Sequence, residues 1–542
     1  MMYLQMVRLG QGGGKGRALL WEDPSRERPP KWSQLGCQGE DIKKWKLHAK
    51  AVGRLLLEVI NAFSEEIGGE LNERWKRVRR WITDPSIYPE LNNSPVKARL
   101  EKGDLKMILE VGGAEEVQLC ECEGFVEVFY VAEPHKMRRR KICHTRLINY
   151  LCGRDTLEGV AFTHREQQLL NVLKGDWCFC IDFSAYYDQF PLPKEIGVKM
   201  VMQIDGKYYR PTSLLMGQRH AVEVAQTATQ VLTTVPFEHN CVIECYIDNI
   251  RVVGDKDEVR KVARCIVERC KQANVQINED VSTDAKIEEL IVQEGDWLGV
   301  HYNYKSKEVT VAEKTIKKLE KVRELMRAGW TWQQMGAHYG LLFFTQFVQG
   351  THLAKYFHAL NYLRRGCKYL QANVRRWRDW ASDLMPCERQ ELEEWTAEVL
   401  ENRPRKIVAE GVTEAYLITD ASDWGCGALF FHRGTWRTLV HQWTDDEVRR
   451  DTSTATESRG MRLALKHFVP ESEKMKVCVL TDNSPTVYGA GRGYAKSATI
   501  NWELKMLKEQ LPNLTLEVRW GYWRRDPSTP ACRSETPVRS TY

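Results

Sequence analysis

Four short, apolar, strand-forming runs in this chain each end in a lone acid: Cys178–Ile181 before Asp182, Val242–Ile247 before Asp248, Tyr416–Thr419 before Asp420, and Val477–Thr481 before Asp482. A carboxylate at the end of a buried strand is costly unless something neutralises it. Two such carboxylates side by side repel each other unless one is protonated or a cation lies between them. Magnesium fits that place, because it takes oxygen ligands and shares its shell with substrate phosphates. A plainer reading of the second run is a β-hairpin turning at Asp248–Asn249, since Asp and Asn tolerate a left-handed backbone.

The 542 residues allow roughly three or four domains. A hydrophobic content of 43% supports several cores, and a net charge of +6 permits a nucleic-acid partner without requiring one. The 16 cysteines form no CxxC pair. Cys120/Cys122 and Cys178/Cys180 are spaced to share one face of a strand and read as reduced, buried small hydrophobes. No secretion signal opens the sequence and no apolar run nears the ~18 residues of a membrane span, so the expected location is cytoplasm or nucleus.

Residues 1–40 read as a flexible lead and 41–115 as a helical region, with Leu55, Leu56, Val59, Ile60 and Phe63 at helical spacing. Strand character over 117–131 precedes the basic run "KMRRRK" at 136–141. Asp205–Gly206 marks a hairpin, and 218–235 and 257–273 are helix-like. A helix between the first two acids lets Asp182 and Asp248 occupy neighbouring strands of one antiparallel sheet. From about 312 to 403 the pattern is helical, and strands return beyond "ENRPRKI". There Glu457 shares a helical stripe with Met461, Ala464, Leu465 and Phe468, which points its carboxylate inward. Thr454 and Glu457 also fit a helix capping box.

The motif set resembles that of reverse transcriptases. "YIDN" (246–249) is similar to their Tyr-x-Asp-Asp motif, with Tyr246, Asp248 and Asn249 in place. "DFSAYYDQF" (182–190) is similar to the first catalytic motif, with Asp182, Tyr187 and Gln189. "RPTSLLMGQ" brings Gly217 and Gln218, and "RRRKICHTRLIN" resembles the fingers motif, with Arg140 and Arg146. "ANVQIN" (273–278) and "WLG" (297–299) look like the late palm and primer-grip motifs. Asn249 departs from the family, which has a second Asp there.

The later acids Asp420, Glu457 and Asp482, on strand, helix and strand, resemble the ribonuclease H domain. Its fourth ligand is in doubt, because "STPACRS" (528–534) has Cys532 where an acid belongs, and Asp526 is a weak substitute. "TDASDWGCGALF" and the late "PAC" pattern resemble tyrosine-recombinase retroelements of the DIRS and VIPER-like type.

The resemblance implies an α+β right-hand polymerase of fingers, palm and thumb, a helical connection, and a C-terminal α/β ribonuclease H-like domain. The expected divisions are 116–310 for fingers and palm, 311–405 for thumb and connection, and 406–542 for the nuclease. Asp182 and Asp248 are expected as catalytic metal ligands for synthesis, and Asp420, Glu457 and Asp482 for cleavage. Tyr187, Gln189, Gly217, Gln218, Arg140, Arg146, Tyr246 and Asn249 are expected to contact substrate. The implied cofactor is Mg2+, two ions per site, with Mn2+ able to substitute. The implied partners are an RNA template, a DNA primer, the RNA–DNA hybrid and deoxynucleoside triphosphates. The alternative is an inactive, retroelement-derived nucleic-acid-binding protein.

Overall fold

The computed structural model describes residues 42–521, apart from 134–135, 154, 373–375, 377–378, 410 and 445–452. The flexible lead expected at 1–40 and the segment holding Asp526 and Cys532 lie outside the described residues. The mixed α+β chain divides into two compact units. One takes residues up to 338 with 369–381 and 402–408; the other takes 339–368, 382–401 and 409 onward. No helix among the described residues is long and apolar enough to cross a membrane.

In the first unit, four strands form a central antiparallel sheet: β1 (Trp177–Asp182), β2 (Val242–Tyr246), β3 (Asn249–Gly254) and β4 (Ile291–Val292), in the order β4-β1-β3-β2. Phe179, Ile181, Ile250 and Val252 are buried in the core, which is why β1 and β3 read as near-continuous apolar runs. Two helices pack here. α1 (Ala221–Thr233) lies against β2 and is buried almost all round. α2 (Lys256–Gln272) covers β1 and β3 with Val259, Val262, Ala263, Ile266 and Cys270, a stripe at helical spacing. A three-stranded sheet runs Lys46–His48, Arg138–His144, Glu127–Glu133, and another pairs Ala114–Val117 with the hairpin Met202–Ile204 and Lys207–Pro211. That hairpin turns at Asp205 and Gly206, with φ of 51° and 80°.

The second unit carries β5 (Ala415–Ala421), β6 (Gly425–His432), β7 (Thr435–Gln442), α3 (Ser453–Phe468), β8 (Lys476–Thr481), α4 (Ser484–Arg492), α5 (Ala498–Gln510) and β9 (Thr515–Trp520). The sheet order is β7-β6-β5-β8-β9; the first two pairings are antiparallel and the last two parallel. α3 packs on β5 and β6, burying Met461, Ala464, Leu465 and Phe468 against Leu417 and Phe430.

Local structure departs from sequence expectation here. Cys120 lies exposed in a 3-10 turn (Leu119–Glu121) rather than on a strand, because a Gln118–Glu121 capping box closes that turn. The hairpin between β2 and β3 turns on Ile247–Asp248, one residue earlier than expected, with Tyr246 paired to Asn249.

Candidate active sites

Antiparallel pairing sets Asp182 at the end of β1 opposite Asn249 at the start of β3. The turn residue just before Asn249 is Asp248, and Phe183 N donates to its carbonyl at 2.8 Å. Ile247 has φ +58°, a strained backbone for a β-branched residue. α1 holds it there. Gln226 Oε1 accepts from Ile247 N at 2.6 Å, Gln226 Nε2 donates to Cys245 O at 3.0 Å, and Thr229 Oγ1 donates to Ile247 O at 2.6 Å. Tertiary hydrogen bonds thus override local turn preference and present Asp248 beside Asp182.

Burial pushes the Asp248 carboxyl above its ordinary range and the Asp182 charge adds to this, while its backbone hydrogen bond, the Asn249 amide and the Arg140 charge oppose it. Asn249 Nδ2 donates to Asp248 Oδ1 at 2.9 Å. Asp182 Oδ2 accepts from Asn278 Nδ2 at 2.5 Å.

A third carboxyl, Glu279, stands next to this pair and was not foreseen. Its Oε2 accepts from Asp182 N at 3.0 Å, and it is pushed up to about 7, first by burial and then by the neighbouring Asp182. Residues 276–279 bring it there by pairing antiparallel with the end of β1: Asn278 N donates to Asp182 O at 2.9 Å and Ser184 N to Gln276 O at 2.8 Å. The only sequence signal was its position directly after "ANVQIN".

The expected substrate contacts divide. Tyr187 is half-buried and its phenol is pushed up to about 12, by burial first and then by Asp248 and Tyr246, which places it close to both. The Tyr246 ring lies 4.8 Å from that of Phe162. Gly217 has φ +111°, and a Cβ there would stand 3.1 Å from Cys143 O, so only glycine fits this approach. Arg140 pairs with Glu133 at 2.7 Å, and Arg146 opens the helix Arg146–Leu151 half-buried.

Gln189 and Gln218 both lie buried. Gln189 is 0% exposed; its Nε2 donates to Ser184 O at 2.6 Å and Gln276 O at 3.0 Å, and its Oε1 accepts from Gln276 N at 2.8 Å. Gln218 is buried with Nε2 donating to Tyr88 Oη at 2.7 Å. The Gln189 amide is engaged on both sides by the protein itself, whereas the buried Gln218 Oε1 has no hydrogen-bond partner among the described residues.

In the second unit, the parallel register of β5 and β8, with Ile418 opposite Leu480, sets Asp420 and Asp482 at adjacent strand ends. α3 supplies Glu457. One carboxylate oxygen from each of the three lies within 4.8 Å of the others, the only such three-residue group among the described residues. Gly460 permits the close approach of α3, since a Cβ there would stand 2.9 Å from Cys426 Cβ. Asp420 and Asp482 are exposed, whereas Glu457 is 8% exposed. Ala421 N donates to Glu457 Oε1 at 3.1 Å; the buried Oε2 has no hydrogen-bond partner among the described residues. Burial, then the charges of Asp420 and Asp482, push Glu457 up to about 7. Three converging oxygen donors and one orphaned buried oxygen fit a hard divalent cation. In the first unit the donors are likewise all oxygen, from Asp182 and Asp248.

No protein-family model matches the chain, and no curated protein matches it. Among solved structures it is similar to the foamy viral protease-reverse transcriptase dRH in complex with double-stranded DNA, at 13% identity over 88% of this chain and 84% of that one, with a TM-score of 0.47. The foamy viral protease-reverse transcriptase in complex with double-stranded DNA gives 13% identity over 87% and 99% of the two chains, TM-score 0.45. The same protein in complex with an RNA/DNA hybrid gives 12% over 90% and 66%, TM-score 0.45.

Proposed function

We propose that this chain is an RNA-directed DNA polymerase of a retroelement, with ribonuclease H activity in its C-terminal unit. The observation that carries the reading is that one chain holds two separate carboxylate groups, Asp182 with Asp248 at a strand end and its neighbouring turn, and Asp420 and Asp482 at strand ends with Glu457 from a helix. In this reading β1–β3 are the palm, residues 116–310 hold fingers and palm, 311–405 thumb and connection, and 406–542 the nuclease. The motifs quoted above favour a tyrosine-recombinase retroelement of the DIRS or VIPER-like type.

Asp182 and Asp248 would hold magnesium in the first site, and Asp420, Glu457 and Asp482 in the second. When bound, the metal supplies the positive charge that acidifies the attacking hydroxyl or water and steadies the leaving group. The chain's own residues do the rest. The strained Ile247 turn fixes the Asp248 carboxylate before substrate arrives. Tyr187, close to Asp248, floors the sugar pocket and excludes a 2′-hydroxyl, which selects deoxynucleotides. Gly217 leaves room for backbone approach, and Arg140, held by Glu133, adds positive charge to the surroundings of Asp248. In the second site the buried Glu457 aligns against Ala421 N–H while the two exposed acids face the scissile RNA strand.

Asn249 favours a second reading, a catalytically silent binding protein, because its amide occupies one oxygen of Asp248 and it lacks the family's second negative charge. Primer extension on poly(rA)/oligo(dT) with magnesium or manganese separates the two. Incorporation that disappears in Asp182→Ala supports the enzyme, and no incorporation by pure, folded wild-type protein supports the silent form.

A further inference from the structure

The basic run at 136–141 is largely neutralised in the fold. Arg139 is buried against Asp104 through hydrogen bonds of 2.6 and 2.7 Å, while Arg138 and Arg140 both pair with Glu133. A different cation approaches the first site, from a segment that sequence reading assigned to a helix. Residues 46–56 are non-helical and pinned at both ends. Lys46–His48 pairs in parallel with Arg138–Arg140, and at the other end Leu55 N donates to Gln189 O and Leu56 N to Ala273 O, each at 2.9 Å. Between these pins, Lys50 Nζ donates to Asn278 Oδ1 at 3.0 Å, and Asn278 Nδ2 in turn donates to Asp182 Oδ2.

Lys50 also lines a cavity of about 30 Å³ together with His48, Arg54, Lys141 and Asp188. That space has room for about two waters, and its mouth is open to solvent. Arg54 is anchored by Gly112 O and Thr212 Oγ1, each at 2.8 Å, and by Asp188 O, so its charge is fixed at the wall. Lys50, Arg54 and Lys141 thus line one cleft with a single acid, Asp188, and Lys50 is joined through Asn278 to Asp182 by two hydrogen bonds.

We propose that Lys50, with Lys141, binds a phosphate group of the substrate in this cavity, so that the segment ahead of the first long helix is part of the polymerase site. The identity of the substrate rests on the polymerase reading; the phosphate chemistry does not. The phosphate belongs either to the triphosphate of the incoming nucleotide or to the backbone of the primer–template.

The test compares wild type, Lys50→Ala, Lys50→Arg and Lys141→Ala, each shown to be folded by its melting curve. Calorimetric titration with tripolyphosphate is expected to show about tenfold weaker binding in both alanine variants, largely restored in Lys50→Arg. A matching rise in KM for dTTP with kcat held assigns the site to the incoming nucleotide. Weaker binding of poly(rA)/oligo(dT), with a salt slope shallower by about one, assigns it to the backbone. Unchanged tripolyphosphate, dTTP and primer–template binding in folded Lys50→Ala overturns the proposal. Wild-type protein that incorporates no nucleotide yet binds tripolyphosphate through Lys50 refutes the polymerase reading and leaves this site standing.

Discussion

Replacing Glu457 by Gln should stabilise the metal-free protein at alkaline pH and, on the proposed function, abolish RNA cleavage. The folded state raises this carboxyl from its ordinary 4.5 to about 7. The folded state therefore holds the proton more tightly than the unfolded chain, so this group's contribution to stability is full below 4.5, falls as pH climbs, and is lost once pH passes 7. At about 1.4 kcal/mol per pH unit, the loss is about 1 kcal/mol at pH 5 and about 3 kcal/mol at pH 8. Gln keeps an oxygen for Ala421 N–H but carries no charge, so it escapes this loss. The assay is urea unfolding of both proteins in EDTA at pH 5 and pH 8. The variant's advantage should grow by about 2 kcal/mol between the two, because titrating groups remote from Glu457 cancel in the comparison. Magnesium should then raise wild-type stability at pH 8 and leave the variant nearly unmoved. Parallel pH profiles for the two proteins would refute the convergence of charge on which the second site depends.

Tyr187→Ala should admit ribonucleotides, with dNTP-over-rNTP discrimination in single-nucleotide incorporation falling about tenfold or more; unchanged discrimination removes the steric role. Gln189→Ala should destabilise the first unit by about 2–3 kcal/mol in urea unfolding, since it strands buried backbone partners, and should leave KM for dTTP unchanged in the protein that remains folded. Gln226→Ala removes two hydrogen bonds from the strained turn, costs about 1–3 kcal/mol, and should depress kcat more than it raises KM.

The acids themselves were legible because each is a lone charge closing an apolar strand, a pattern that burial energetics makes conspicuous. Glu457 was legible for a related reason, a charge within an apolar helical stripe. The turn at Ile247 was not, because its conformation is imposed by Gln226 and Thr229 on α1 rather than by local preference. Gln189 and Gln218 sit inside motifs, and a motif records position without saying where an amide points. Glu279 follows a recognised segment, yet only the pairing of residues 276–279 with β1 brings it to Asp182. The non-helical path of residues 46–56 was hidden by apolar spacing that continues into the true helix, Leu57–Ile67. α4, α5 and β9 were not anticipated at all; Gly489, Gly491 and Pro485 break any apolar stripe across α4.

The most direct measurement follows both strands of one substrate, a labelled RNA template annealed to a labelled DNA primer, incubated with dNTPs and magnesium. The account predicts primer extension and RNA cutting by wild type, loss of extension alone in Asp182→Ala when cutting is assayed on a preformed hybrid, and loss of cutting alone in Asp420→Asn. Extension that persists in Asp182→Ala, or cutting at the parental rate in Asp420→Asn, would contradict it.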